Sequence, residues 1–496
     1  MRETRVVASE TVVLPIVERI DRMNKLMLML LSGLLAPVLI GCGGAPRAVD
    51  WPEARALGRD LPTYRAPQRP DQPVDARGFA EPAADVTLRE ALAAAFLHNP
   101  DLATFAWEVR VREARALQAS LLPNPEVEFG VEDFGGTGNA AAFDAAETTV
   151  LVSQLIELGQ KRQKRTRLAE LNQDLAAWDY ETARVDVLTS VARAFIATLV
   201  LQQQVELATE NLGLAQTAYD TTDKRVQAGA VSPLDRTKAS VVVARARIEL
   251  QRRQRELKSA RMELASTWGS RTPKFHQVVG SLTQLQAMPA MDTLFSQVSQ
   301  NPQVARWAVE ITQRQARIEL ERSEATPDVT VGLGAKYLGE SDDVAGVIQL
   351  SLPLPLFNRN QGGVLESRYE LAKARQAQRA AELRVSTALG RAYQQLAAAH
   401  EEVTALKSEV LPAAKRAYDD TNTAYTQGKV GYLEVLDAQR TYFEARGQVA
   451  GALGAYHQAV VDVEGLIGRP LSTLNAPNES KPETNTNHQP SSGDQP

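Results

Sequence analysis

Asn99-Pro100-Asp101-Leu102-Ala103 and Asn301-Pro302-Gln303-Val304-Ala305 say nearly the same thing 202 residues apart. Working outward, Ala114-Arg115 returns as Ala316-Arg317, and Pro125-Glu126-Val127 as Pro327-Asp328-Val329, at the same offset. Further on, Gly229 is echoed by Gly428 and Gly269 by Gly468, both at 199. So small a drift marks one unit, duplicated, with minor loop changes. The unit is far longer than a solenoid repeat. Two equivalent halves in one chain suit a pseudo-symmetric assembly, and closed symmetric rings are the common route to a channel.

Two textures alternate between the echoes. One is rich in Ala, Arg, Glu, Gln and Leu. Leu168, Leu171, Leu175, Trp178, Val185, Leu188, Ala192, Phe195 and Leu199 are spaced as a heptad seam. No Gly or Pro interrupts Gln160 to Asn211, and with Gly213 tolerated the pattern predicts one helix reaching Ala228, about 100 Å long. Its counterpart, Gly363 to Gln427, contains Pro412, which predicts a kink or break there. Shorter helices are expected over Leu88–Leu122, Leu234–Trp268, Met291–Ala325 and Leu433–Ile467, the first opened by the capping box Thr87-x-x-Glu90.

The other texture is strand. Val127, Phe129 and Val131 alternate with Glu126, Glu128 and Glu132. Val329, Val331, Leu333, Ala335 and Tyr337 alternate with Asp328, Thr330, Gly332, Gly334 and Lys336, and Thr148–Glu157 and Val344–Leu354 supply one partner strand each. Strands of about ten residues, apolar on one face, match membrane β-barrel strands. A half-buried soluble sheet has the same alternation. Four strands cannot close a barrel alone, whereas four from each of three chains make twelve with no open edge.

The ends speak of location. Met23-Asn24-Lys25, an apolar run from Leu26 to Ile40, and Gly41-Cys42 read as a secretory signal over residues 1–41, with Met23 a better start than Met1. Leu39-Ile40-Gly41-Cys42 resembles a bacterial lipobox, which makes Cys42, the sole cysteine, the lipidation site. An incidental cysteine in an uncleaved anchor is the plainer alternative. Residues 42–85 are proline-rich and read as an extended tether, and 471–496 as a polar, disordered tail. Between them lie repeat 1 (86–270), a linker (271–290) and repeat 2 (291–470).

Composition excludes several classes. Net charge is −5, with 55 Lys and Arg against 60 Asp and Glu, which provides no basic patch for nucleic acid. His98, His276, His400, His457 and His488 are scattered without ligand-like spacing, so no metal site is expected. Walker loop, nucleotide fingerprint and nucleophile elbow are missing from the sequence, so neither catalysis nor a cofactor is expected.

Helix–strand–strand–long helix–short helix, twice, behind a lipobox, resembles the TolC-type outer membrane factor family over about residues 86–470. The marks are Asn99-Pro100, Leu122-Pro123-Asn124-Pro125-Glu126, Leu352-Pro353-Leu354-Pro355-Leu356-Phe357-Asn358 and the hairpins around Gly229 and Gly428. Ser153-Gln154-Leu155-Ile156-Glu157-Leu158-Gly159-Gln160-Lys161-Arg162 looks most like the heavy-metal cation branch, whose exporters work with resistance–nodulation–division pumps. The resemblance implies a mainly helical homotrimer, with a long periplasmic α-barrel and a twelve-stranded β-barrel in outer-membrane lipid. It would work with a periplasmic adaptor and an inner-membrane pump.

It also implies roles for the hairpin tips. Gly229, Ala230, Val231, Ser232 and Pro233, with Gly428, Lys429, Val430 and Gly431, would face adaptor and pump. Local geometry alone also accounts for them, as a glycine helix stop, a serine N-cap and a proline at N1. Glu434 and Asp437 share a helical face past the second tip and stand at the spacing of the family's pore-constricting acids, with Glu at the first position where the family has Asp, which keeps the charge but changes the reach. Three copies would form a cation-attracting ring. Helix-start stabilisation is the rival role, and the first half has Asp235 and Lys238 at the matching positions. The same duct could serve drug efflux or type I protein secretion, and a structural coiled-coil lipoprotein without a pore is the reading from another class.

Overall fold

The computed structural model describes residues 54–71, 81–138, 143 and 145–474, all within one unit. The signal over 1–41, Cys42 and the tail beyond 474 lie outside the described residues. Val86–Thr87 (β1) leads into Leu88–His98 (α1) and Pro100–Ser120 (α2). Glu126–Glu132 (β2) and Glu147–Ile156 (β3) precede the 67-residue helix Lys161–Gln227 (α3) and its return, Pro233–Ser266 (α4). The second half repeats the order. Val278–Val279 (β4), Met291–Phe295 (α5), Pro302–Ala305 (α6) and Trp307–Ser323 (α7) lead to Val329–Leu338 (β5) and Asp343–Ser351 (β6). Gln361–Ala405 (α8), Leu411–Thr426 (α9) and Tyr432–Ile467 (α10) follow.

The four predicted strands form one antiparallel sheet, ordered β2-β3-β5-β6, so its two edges come from opposite halves. Direct pairing aligns Val127 with Val152, Leu333 and Ile348, and Phe129 with Val150 and Ala335. That face is uncovered: Val127 is 72% and Ile348 81% exposed. The opposite face carries every charged residue of the sheet, namely Glu126, Glu128, Glu132, Glu147, Lys336 and Asp343. An exposed apolar face backed by a charged one is the inverse of a soluble sheet and fits lipid outside with water inside. Gly332 and Gly334 sit under Leu151, which is buried. A Cβ on Gly334 would press on the Val150 carbonyl and come within 2.9 Å of the Leu151 Cα.

The helices follow their seams. Leu168, Leu171, Leu175, Val185, Leu188, Ala192, Phe195 and Leu199 of α3 are buried. By length and composition α3 could cross a bilayer, but its apolar stretch is spent on the protein core. Pro412 breaks the counterpart helix as expected. One π turn, Leu406–Val410, separates α8 from α9. The wider turn makes room for a ring that cannot donate a helix hydrogen bond. Two expected helices are divided instead. Leu88–Leu122 breaks at Asn99, which is extended (φ −65°, ψ 122°); its side chain accepts from the Leu102 N–H, with Pro100 at N1. Met291–Ala325 breaks likewise at Asn301, which caps Gln303. In each half the amide donates to the carbonyl end of a distant helix, Asn99 to Thr267 O and Asn301 to Leu466 O. Asparagine-proline is thus a repeated corner-piece.

Residues 54–71, part of the stretch 42–85 expected as an extended tether, are docked. Leu57 and Ala66 belong to the core. Arg184, 1% exposed, donates to the carbonyls of Leu57 (2.8 Å) and Arg55 (3.2 Å), while Glu181 accepts the Arg55 N–H at 2.7 Å. Tyr180 Oη donates to Tyr64 O, and Arg110 Nε to Ala66 O. The expected linker 271–290 is also packed. Phe275, Val278 and Leu282 are buried, and Gln202 on α3 bonds both the N–H and C=O of Val278.

Candidate functional site

Each long hairpin turns on a glycine. At the first tip Gly229 takes φ +72°; its N–H donates to Val226 O and that of Ala230 to Arg225 O. At the second, Gly428 takes φ +74°, with Gly428 N–H to Tyr425 O and Lys429 N–H to Ala424 O. Both pairs are the Schellman closure, which places glycine in the left-handed region. Ser232 then caps α4 through Leu234 N–H, with Pro233 at N1. Gly431 is the N-cap of α10 and offers no side chain. Ala230, Ser232, Pro233, Lys429 and Gly431 are exposed, with Val231 and Val430 half-buried. The turn chemistry accounts for both glycines. Leu234 (58% exposed) and Leu433 (56%) stand uncovered at equivalent places in the returning helices.

Glu434 and Asp437 are exposed on the first turns of α10, one helical turn apart. Asp437 is not alone. Arg440 donates to its Oδ1 at 2.8 Å, and Arg440 Nε stands 3.8 Å from Glu444. Glu434 folds back over its own N-cap, its Oε2 lying 2.9 Å from where a Gly431 Cβ would be. In the first half Lys238 lies 3.7 Å from Asp235. A basic residue three positions on is therefore present at both tips, shifted by one turn. Asp437, Arg440 and Phe443 also border an open groove of about 920 Å³ between α3, α4 and α10.

The two hairpins touch near their tips. Arg225 on α3 donates to Tyr425 Oη on α9 at 2.5 Å, its guanidinium 5.0 Å from that ring's centroid. Tyr425 leans on Tyr432 of α10 at 6.0 Å. Burial, then Tyr425 beside it, pushes the Tyr432 phenol up to about 12, so it stays protonated at all ordinary pH. Partners 200 residues apart leave no local signal, so sequence reasoning could not find this contact.

The Gln154–Arg162 stretch lies where sheet becomes helix. Glu157 holds Arg165 bidentately at 2.6 and 3.1 Å. Gly159 and Gln160 both have positive φ, and buried Lys161 bonds Asp328 of the other half at 2.8 Å. Among the described residues no group of His, Cys, Asp or Glu could hold a metal ion.

Residues 91–270 and 296–469 each match the outer membrane efflux protein family. The cobalt-zinc-cadmium resistance protein CzcC of Cupriavidus metallidurans is 36% identical over 389 residues, covering 78% of this chain and 91% of that protein. The pyoverdine export outer membrane protein OpmQ of Pseudomonas aeruginosa is 25% identical, covering 88% of this chain and 96% of that protein. A solved structure of CusC superimposes with a TM-score of 0.65 at 18% identity, over 82% of this chain and 99% of that one.

Proposed function

The chain belongs to the outer membrane efflux protein family, and from that premise we propose that it is the exit duct through which metal cations leave a tripartite pump. It is an outer-membrane channel protein that extends into the periplasm. The observation that carries the metal reading is the 36% identity to CzcC over nine-tenths of that protein's length. The pyoverdine relative, at 25%, supports a second reading in which an organic cargo uses the same duct.

In the proposed assembly three copies pair β6 of one with β2 of the next. The exposed row Val127, Phe129, Ile348 and Leu350 then meets lipid, and the glutamates line water. The exposed tips, with Leu234 and Leu433 as apolar anchors, meet the adaptor and pump. Glu434 and Asp437 gather at the axis as the constriction. Arg440 holds Asp437 in place and tempers its charge. A constriction of carboxylates admits cations and slows anions, and energy comes from the partner pump. Cys42, acylated, adds a lipid anchor to that of the barrel.

Planar-bilayer recording of the purified protein tests this reading. The expected result is a cation-selective channel from a detergent-stable trimer. An anion-selective pore, or a monomer that never inserts, would overturn it.

A further inference from the structure

The charged face of the sheet holds five acids and a single base, Lys336. Glu132, Glu147 and Asp343 fall in one cross-strand row at the end farthest from the helices. Lys336 sits one row in, directly paired with Thr149 and Ala345. Its ammonium forms an ion pair with Glu147 and lies 3.6 Å from Glu132, so one side chain spans β5, β3 and β2. We propose that Lys336 sets the ion selectivity of the outer mouth, where it offsets part of the carboxylate row and limits how strongly that mouth favours cations. The inference rests on the reading that three copies close this sheet around water.

A merely structural cross-strand clip would explain the ion pairs too, and such pairs are worth about 0.2–1 kcal/mol. Two observations point further. The apolar face already supplies the cross-strand packing, and no other charged residue of the sheet is given a counter-ion within it. Further in, Glu126 and Glu128 are left exposed with only Ser153, Leu151 and two glycines beside them. A low-dielectric wall focuses the field of such charges into the lumen. In a trimer the outer row brings nine carboxylates and Lys336 three ammonium groups. Removing the lysine therefore raises the net fixed charge of that row by about half, and that of the whole mouth by less, since the turn acids Asp133, Glu340 and Asp342 add to it. Attraction without that offset would hold departing cations at the exit and slow their release.

The test is the cation-over-anion permeability ratio of purified trimers in a salt gradient across a planar bilayer. Lys336→Gln should raise the ratio, by at most about 1.5-fold, the change in that row's fixed charge. Lys336→Arg should leave it at the wild-type value, and Glu132→Gln with Glu147→Gln should lower it. Each variant is also made with Glu434→Ala and Asp437→Ala, so the mouth is read without the tip acids. An unchanged ratio for Lys336→Gln in both backgrounds overturns the proposal. So does a loss of trimer stability in that variant with an unchanged ratio in the surviving channels, the mark of a clip. If the wild type itself forms no channels, the closed barrel fails, and the proposal with it.

Discussion

Arg184→Ala should be the most damaging single change in the helical region. Arg184 and Glu181 are 1% and 2% exposed, one helical turn apart on α3. The guanidinium donates from Nε and Nη2 to the two Glu181 oxygens, both at 2.8 Å, and from Nη1 and Nη2 to the carbonyls of Leu57 and Arg55. Truncation leaves the buried Leu57 carbonyl and the part-buried Arg55 carbonyl short of a donor, and a buried carboxylate whose remaining bond among the described residues is the Arg55 N–H. Breaking a buried pair from one side costs about 3–5 kcal/mol, because the desolvated charge is left uncompensated. Glu181→Leu with Arg184→Met removes both charges and should cost less than Arg184→Ala alone. The assay is guanidinium unfolding in detergent followed by tryptophan fluorescence. Trp178, under the Arg55 guanidinium at 4.7 Å, reports the docked segment directly. Trypsin should also cut after Arg59 faster in the single variant. Stability within about 1 kcal/mol of wild type, with unchanged cleavage, would refute the claim that this pair clamps residues 55–57.

Three further outcomes follow from the same geometry. Glu434→Ala with Asp437→Ala should lower cation selectivity and divalent block in single-channel recordings while trimers still form, since both side chains are exposed; wild-type block would reduce these acids to helix-start residues. Burial raises the Glu464 carboxyl from 4.5 to about 7 while it accepts the Leu471 N–H. A raised carboxyl favours the folded state when protonated, so stability should fall as pH climbs from about 4.5 to 7; Glu464→Gln, which keeps an acceptor, should flatten that part of the unfolding profile, and an unaltered profile would count against it. Gly334→Val places a side chain against the Val150 carbonyl and Leu151, so the yield of membrane-inserted trimer should drop sharply, whereas Gly346→Val, with nothing within 4 Å, should be tolerated.

Much of this architecture was legible because its signals are periodic and local. The heptad seam of α3 needs only spacing, and Pro412 announced its own break. The strands were legible because their charges alternate, and pairing then put all of those charges on one face. Periodicity read through Asn99 and Asn301, though each stands before proline and offers a capping carbonyl. There local turn chemistry outweighed an unbroken apolar spacing. The docking of residues 54–71 was hidden for another reason. Its polar grip is on backbone carbonyls, held by Arg184, Tyr180 and Arg110, so the segment itself carries little pattern. At the tips the acids were visible, but Arg440 was overlooked although it stands only three residues from Asp437. The Arg225–Tyr425 contact lies beyond any window of sequence.

The role proposed for this chain is to carry metal cations out of the cell. Its most direct test is the cobalt, zinc and cadmium retained by cells that encode it, measured by mass spectrometry after a metal load, with this gene deleted and pump and adaptor intact. Retained metal should rise in the deletion and return to the wild-type level when the chain is restored. Metal retention indifferent to the deletion, with an organic compound retained instead, would contradict it.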